Sequence, residues 1–160
     1  MHHATLAFIV KDDSVLLGFK KRGEFGSQAL NGPGGKIERG ETAVSAIVRE
    51  VQEEFGITLI PEHLTRTALL VSYRLGVPWF RVHIFLTDTY VGTPTESVEM
   101  KPEWCSIKDL PFDRLSAADR GWLPRVLRRE KLCVHIHYEE DGRTCKNMNI
   151  RSIVDSTAAA

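Results

Sequence analysis

The sequence predicts an α/β fold, with helices covering a mixed β-sheet, on three observations. Strand-length apolar stretches rich in β-branched and aromatic residues recur along the chain. Two segments, 42–55 and 117–130, carry helical character instead. Polar stretches rich in Gly separate many of these elements, and strands interleaved with two helices are the pattern of a layered α/β domain.

"TLAFIV" (5–10) and "SVLLGF" (14–19) flank a short polar "KDD" and read as a β-hairpin. Residues 20–36, "KKRGEFGSQALNGPGGK", are Gly-rich and polar and read as one loop. In 42–55, Val44, Ile47, Val48, Val51 and Phe55 return at helical spacing, and Gly56 stands where a left-handed C-cap belongs. "TALLVSYRL" (67–75) and "WFRVHIFLTDTYV" (79–91) alternate in part and read as strands. "GTPTESVEMKP" (92–102) reads as a second polar loop and "EWCSI" (103–107) as a short strand. "AADRGWLPRVLRRE" (117–130) reads as a helix in which Pro124 must sit near the first turn or kink it. "LCVHIHYEEDGRTCKNMNIRSI" (132–153) reads as a hairpin turning at Asp141-Gly142. The 160 residues suit one domain, expected over 1–154, with 155–160 a frayed end.

Composition narrows the classes. Basic and acidic residues balance at 21 each, which leaves no whole-domain charge for stable nucleic-acid binding. Hydrophobic residues make up 42%, yet no apolar run reaches membrane-spanning length. "MHHATLAFIVKDD" lacks the features of a signal peptide. Cys105, Cys133 and Cys145 form neither an even disulfide set nor a C-x-x-C pattern, so reduced thiols in a cytoplasmic protein are expected.

The carboxylates are the anomaly. Glu50, Glu53 and Glu54 stand at i, i+3 and i+4, expected on the helix side opposite the apolar stripe, with Arg49 four residues before Glu53. Like charges within one turn repel, whereas a merely solvated face would mix signs. Such a cluster suits a hard divalent cation, which takes oxygen ligands together with substrate phosphates. Gly32, Gly34 and Gly35 just upstream let backbone approach a ligand closely.

Gly35, five residues, Glu41, seven residues, Arg49-Glu50-Val51, one residue, Glu53-Glu54, one residue, Gly56-Ile57: this spacing resembles the Nudix box at every defined position. The resemblance implies an α/β/α sandwich and an enzyme that hydrolyses nucleoside diphosphate derivatives with Mg²⁺, or Mn²⁺. It implies that Glu50, Glu53 and Glu54 hold metal with a carbonyl of Gly34, and that Gly35, Glu41, Arg49 and Gly56 support the loop geometry.

"VLLGFKKRG" (15–23), "NGPGGK" (31–36), "VHIFLTD" (82–88), "GTPTESVEMKPEW" (92–104) and "LPFDRL" (110–115) resemble, in order and spacing, the animal-type MutT homologues that hydrolyse oxidised purine nucleoside triphosphates such as 8-oxo-dGTP. This implies a small-molecule nucleotide substrate, nucleotide-pool sanitation and a monomer. By that resemblance Asn31 reads the base, Glu99 reaches the metal site, and Thr5, Lys20 and Phe25 line or flank the nucleotide pocket. From the residues alone, Asn31 is equally a turn residue and Glu99 a surface charge. Glu53 or Glu99 takes the water's proton. Trp122 is expected in the core. The chain departs from the subfamily where the base is read. Ser116 and Ala118 replace a stacking tryptophan and one of two aspartates, leaving Asp119, while Leu30 and Val71 replace aromatic residues. A dinucleotide polyphosphate, a nucleotide sugar, or non-catalytic nucleotide binding remain the alternatives.

Overall fold

The computed structural model describes residues 1–21 and 29–153. The expected hairpin is present: β1 (His2–Lys11) runs antiparallel to β2 (Ser14–Lys20). The stretch expected as one loop contains two short strands, β3 (Leu30–Asn31) and β4 (Gly34–Lys36). Propensity hides them because glycine disfavours strands. Here, however, a side chain at Gly34 would collide with the Thr5 carbonyl, so the glycine is what lets β4 lie against β1.

Helix α1 (Ala43–Phe55) follows, then β5 (Thr58–Leu59), β6 (Thr65–Arg74) and β7 (Val77–Thr87). The strand expected to run to residue 91 ends at Thr87; β8 (Tyr90–Val91) instead pairs β5 as a separate two-stranded ribbon. β9 (Met100–Ser106) begins three residues before its expected start because its pairing with β2 extends back to Met100. Helix α2 (Asp119–Leu127) is shorter than expected, and Pro124 lies in its second turn. There the ring removes one donor from an already short helix. β10 (Leu132–Tyr138) and β11 (Cys145–Ser152) form the C-terminal hairpin, with Gly142 at φ 67° and Asp141 Oδ1 accepting from the N–H groups of Arg143 and Thr144 at 2.8 Å each.

The nine-stranded mixed sheet runs β11-β10-β6-β7-β1-β2-β3, with β4 on β1 and β9 on β2. Alternation along each strand divides the core into two layers. Phe8, Ile84, Leu70 and Val134 join α2's Trp122 and Val126 on one face. Ala7, Ile9 and Phe85 join α1's Ile47, Val51 and Phe55 on the other. Two helices therefore cover opposite faces of one sheet, as expected. Among the described residues, no helix is long and apolar enough to cross a membrane.

Candidate active site

α1 is fixed at both ends. Thr42 Oγ1 accepts from the Ser45 N–H and Ser45 Oγ accepts from the Thr42 N–H, both at 3.0 Å, a reciprocal cap with Ser in the usual Glu position. Gly56 at φ 69° closes the other end and donates its N–H to the Gln52 carbonyl. The three glutamates do not all lie opposite the core stripe; only Glu53 does. At 100° per residue, Glu54, Glu50 and Glu53 lie about 20°, 60° and 120° to one side of Ile47. Burial follows that order: Glu54 is 3% exposed, while the Glu50 and Glu53 side chains are 13% and 54% exposed. The carboxylates thus descend from solvent to the core edge along one flank, which faces β4.

β4 supplies the matching backbone. The Gly34 N–H donates to Glu54 Oε2 at 3.2 Å. A Cβ on Gly35 would come within 2.5 Å of the Glu50 carboxylate, so only glycine leaves that carboxylate its place. Arg49 ties the segment together. Its guanidinium donates to Glu41 at 2.6 and 2.9 Å, to Glu50 at 2.8 Å, to Glu53 at 3.3 Å and to the Lys36 carbonyl at 3.2 Å. The Arg49 hydrogen bonds, with the Glu38 N–H, hold the Glu41 carboxyl down at about 2.

The flank is electrostatically loaded. Burial pushes Glu54 up to about 8, against the Gly34 hydrogen bond, and the charges of Glu50 and Glu99 push the same way. Burial also raises Glu50, with Arg49 opposing and Glu53 and Glu99 adding to the rise. Glu99 therefore acts on the cluster from the loop before β9, where its carbonyl accepts from the Lys21 N–H at 2.8 Å. Lys20 is near enough to Glu54 to favour its ionised form. Among the described residues, no three His, Cys, Asp or Glu side chains form a ready-made ion cage; Arg49 pairs Glu50 and Glu53 instead.

A second feature lies on the α2 face. A cavity of about 260 Å³ is walled by Leu6, Leu70, Val82 and Ile136, with Asn31, Ser116, Asp119 and Tyr138 as polar groups. Asn31 Oδ1 accepts from the Gly32 N–H at 2.8 Å, which leaves its NH₂ as the group available to a ligand. Burial pushes Asp119 up to about 6, opposed by hydrogen bonding from Ser116 and by the Trp122 N–H. The Trp122 Nε1 contact with Asp119 falls short of a well-aligned hydrogen bond. Burial and then the Asp119 charge raise the Tyr138 hydroxyl. Phe80, Gly142 and Arg143 also border a neighbouring groove of about 660 Å³ lined by Lys20 and Lys36.

A NUDIX domain profile matches residues 1–126. The chain belongs to the Nudix family. It is 37% identical over 150 residues to the mouse oxidized purine nucleoside triphosphate hydrolase, covering 93% of this chain and 94% of that one. It is 38% identical over 135 residues to the zebrafish protein of the same name, covering 84% and 85%. Among solved structures, the MutT protein of Bacillus halodurans superposes with a TM-score of 0.78 at 23% identity, over 94% of this chain and 97% of that one. A MutT Nudix hydrolase from Burkholderia pseudomallei gives 0.68 at 27% identity, over 78% and 97%. The chain is a Nudix hydrolase, and the box resemblance read from its sequence is a true family relationship.

The Nudix fold gathers the expected residues into two groups. Glu50, Glu53, Glu54, Gly34, Gly35, Glu41 and Arg49 stand together at α1 and β4, with Glu99 and Lys20 acting on them through charge. Asn31 and Asp119 share the α2-face cavity. Thr5, expected at the nucleotide pocket, alternates with the cavity residue Leu6 and faces the α1 side instead. Phe25 lies outside the described residues. Trp122 is fully buried, as expected, and also borders the cavity. Sequence reasoning missed Tyr138, Arg143 and Lys36. The Asp-Gly turn was a signal for the hairpin, but nothing in the sequence said that its tip would reach the cavity.

Proposed function

We propose that this Nudix hydrolase cleaves oxidised purine nucleoside triphosphates of the 8-oxo-dGTP kind to a monophosphate and pyrophosphate, and so cleans the nucleotide pool. The observation that carries this reading is Lys20. It lines the basic groove that adjoins the Asn31–Asp119 cavity, and its charge acts on Glu54. A base in the cavity and a polyphosphate at the glutamates can therefore belong to one molecule. The names of the mouse, zebrafish and Escherichia coli relatives, the last an 8-oxo-dGTP diphosphatase 34% identical over 99 residues, support the same substrate class.

The carboxylate flank fits a divalent cation. Its donors are all oxygen, and Glu50 and Glu54 are raised first by burial and then by neighbouring carboxylates, Glu53 and Glu99 acting on Glu50, and Glu50 and Glu99 acting on Glu54. Glu50, Glu53, Glu54 and Glu99, with the Gly34 carbonyl, would hold Mg²⁺ or Mn²⁺. Bound there, the ion would neutralise phosphate charge and would acidify a water. The chain's own groups do the rest. Lys20 and Lys36 draw the phosphates along the groove. Asn31 donates to the purine edge, while Asp119, ionised above about pH 6, accepts from it. Arg49 holds Glu50 and Glu53 in place until substrate arrives. Glu53 and Glu99 are the solvent-facing carboxylates, and one of them takes the proton of the attacking water. The chain works as a monomer in the cytoplasm on this reading.

Pyrophosphate release from a panel of nucleotides with Mg²⁺ tests it. Release from 8-oxo-dGTP ahead of diadenosine polyphosphates and nucleotide sugars is expected. Preference for either of the latter would replace the substrate and leave the Nudix chemistry standing. No turnover of any of them would leave a binding module.

A further inference from the structure

Among the described residues, α1 covers its face of the sheet on one side only. α1 packs on β1, β4 and β9, and the core under it reaches Phe85 on β7. Beyond Phe85 the same face continues over β7 and β6, where Arg81, His83, Leu69 and Val71 are half-buried. Register places four basic side chains close together there. His83 pairs Thr5 on one side and Leu69 on the other, and Arg81 pairs His3 and Val71. Arg66 stands beside them with its guanidinium 5.5 Å from the Phe85 ring centre. His83 is driven below its ordinary range by burial first and then by the charges of Arg66, Arg81 and His3; no carboxylate is among the causes.

Unmet hydrogen-bonding capacity falls in the same place. Four buried side-chain polar atoms lack a partner among the described residues, and three of them are Arg81 Nε, His83 Nδ1 and Thr5 Oγ1. All three belong to facing positions of β1 and β7. A buried donor without an acceptor is costly, and the Arg66 and Arg81 charges, which form no ion pair among the described residues, add to that cost. An anion with several acceptor oxygens relieves both.

We propose that Arg81, His83, His3 and Arg66 form a second anion site that binds a phosphate group on the half of the α1 face that α1 does not cover. The guanidinium and imidazole donors suit phosphate oxygens. Thr5, which is wholly buried, pairs His83 on one side and Gly35, the residue beneath Glu50, on the other, so Arg81 and His83 lie two strand spacings, roughly 10 Å, from the carboxylate flank. That is near enough to hold a released phosphate-bearing product and too far to take part in the reaction.

The test is a titration of the full chain in EDTA, so that the carboxylate flank repels anions. Pyrophosphate, orthophosphate and dGMP are added separately, and backbone and imidazole NMR shifts are followed. Saturable shifts at Thr5, Arg81 and His83 are expected. In Arg81→Met the affinity should fall by about tenfold or more, the weight of one charge-assisted hydrogen bond. Arg66 is exposed, so Arg66→Met keeps the fold; it should weaken binding several-fold while Mg²⁺-supported turnover stays at the wild-type rate. Binding of the two inorganic ions alone identifies a free-ion site, and equal binding of dGMP identifies a phosphate-monoester site. Absence of saturable binding, shifts confined to Lys20 and α1, or unchanged affinity in both variants would overturn the proposal.

Discussion

The carboxylate flank and the base cavity are built in opposite ways. The flank comes almost entirely from residues 34–54, one continuous loop and helix, and it is held by charge: Arg49 contacts Glu41, Glu50 and Glu53, and Gly34 contacts Glu54. The cavity draws on β1, β3, β6, β7, α2, β10 and the last turn, and its walls are largely apolar. On the proposed reading, the hydrolytic chemistry is encoded locally, and recognition of the base is encoded by topology. Changes within the one segment are expected to cost the reaction, whereas the cavity can change one wall at a time.

The largest effect should separate the two regions outright. Glu53→Gln, at an exposed position, should keep the fold and lower kcat by at least about a hundredfold through weakened metal-assisted catalysis. EDTA should abolish turnover and Mg²⁺ or Mn²⁺ restore it. Turnover surviving either treatment would show that the flank is an ordinary solvated surface. Next comes Gly35→Ala, whose methyl displaces the Glu50 carboxylate. Kinetics should show roughly a ten- to hundredfold loss in kcat with the 8-oxo-dGTP to dGTP ratio unchanged, since misplacement by about 1 Å is costly at a reacting centre. A shifted ratio would mean that the two regions are not separable.

A change on the cavity side should act in the complementary way. Ser116→Trp adds a ring to the cavity proposed to hold the base, and stacking is worth roughly 1–3 kcal/mol. KM should fall with kcat held; a fall in kcat would place Ser116 closer to the reaction than the cavity implies. The smallest effect is on stability. Glu54 titrates at about 8 folded against 4.5 in the free side chain, so the folded state retains a proton that the unfolded chain gives up. In chelator, stability should therefore decline as pH rises from about 5 to 8. Asp119, raised to about 6, adds to the lower part of that decline. His83, lowered by burial, opposes it only below pH 6.5. Thermal melts between pH 7 and 8.5 thus report Glu54, and Glu54→Gln should flatten them. A melting curve that rises over this range would contradict the burial of Glu54.

The same contrast explains what could be read from the sequence. α1 was legible to within one residue, because Thr42, the apolar stripe and Gly56 are local signals, and the Asp141-Gly142 turn was legible for the same reason. β3 and β4 were not, since strands rich in Gly and Asn form only because β1 and β2 lie beside them. The descent of Glu54 into the core edge follows from helix geometry, which sets it about 20° from Ile47, and runs against the general preference of charge for solvent. Nothing local placed Tyr138 or Arg143 at the cavity, because a strand register over 60 residues away decides it.

In the proposed function, Asn31 and Asp119 read the oxidised base while the glutamates do chemistry that is indifferent to it. Measuring kcat/KM for 8-oxo-dGTP and dGTP in the wild type, Asn31→Ala and Asp119→Ala tests this most directly. The wild type should prefer 8-oxo-dGTP, and each variant should erode that preference by roughly 1–3 kcal/mol through lost hydrogen bonds, with dependence on Mg²⁺ unaltered. Equal values for the two nucleotides, or variant ratios identical to the wild type, would contradict it.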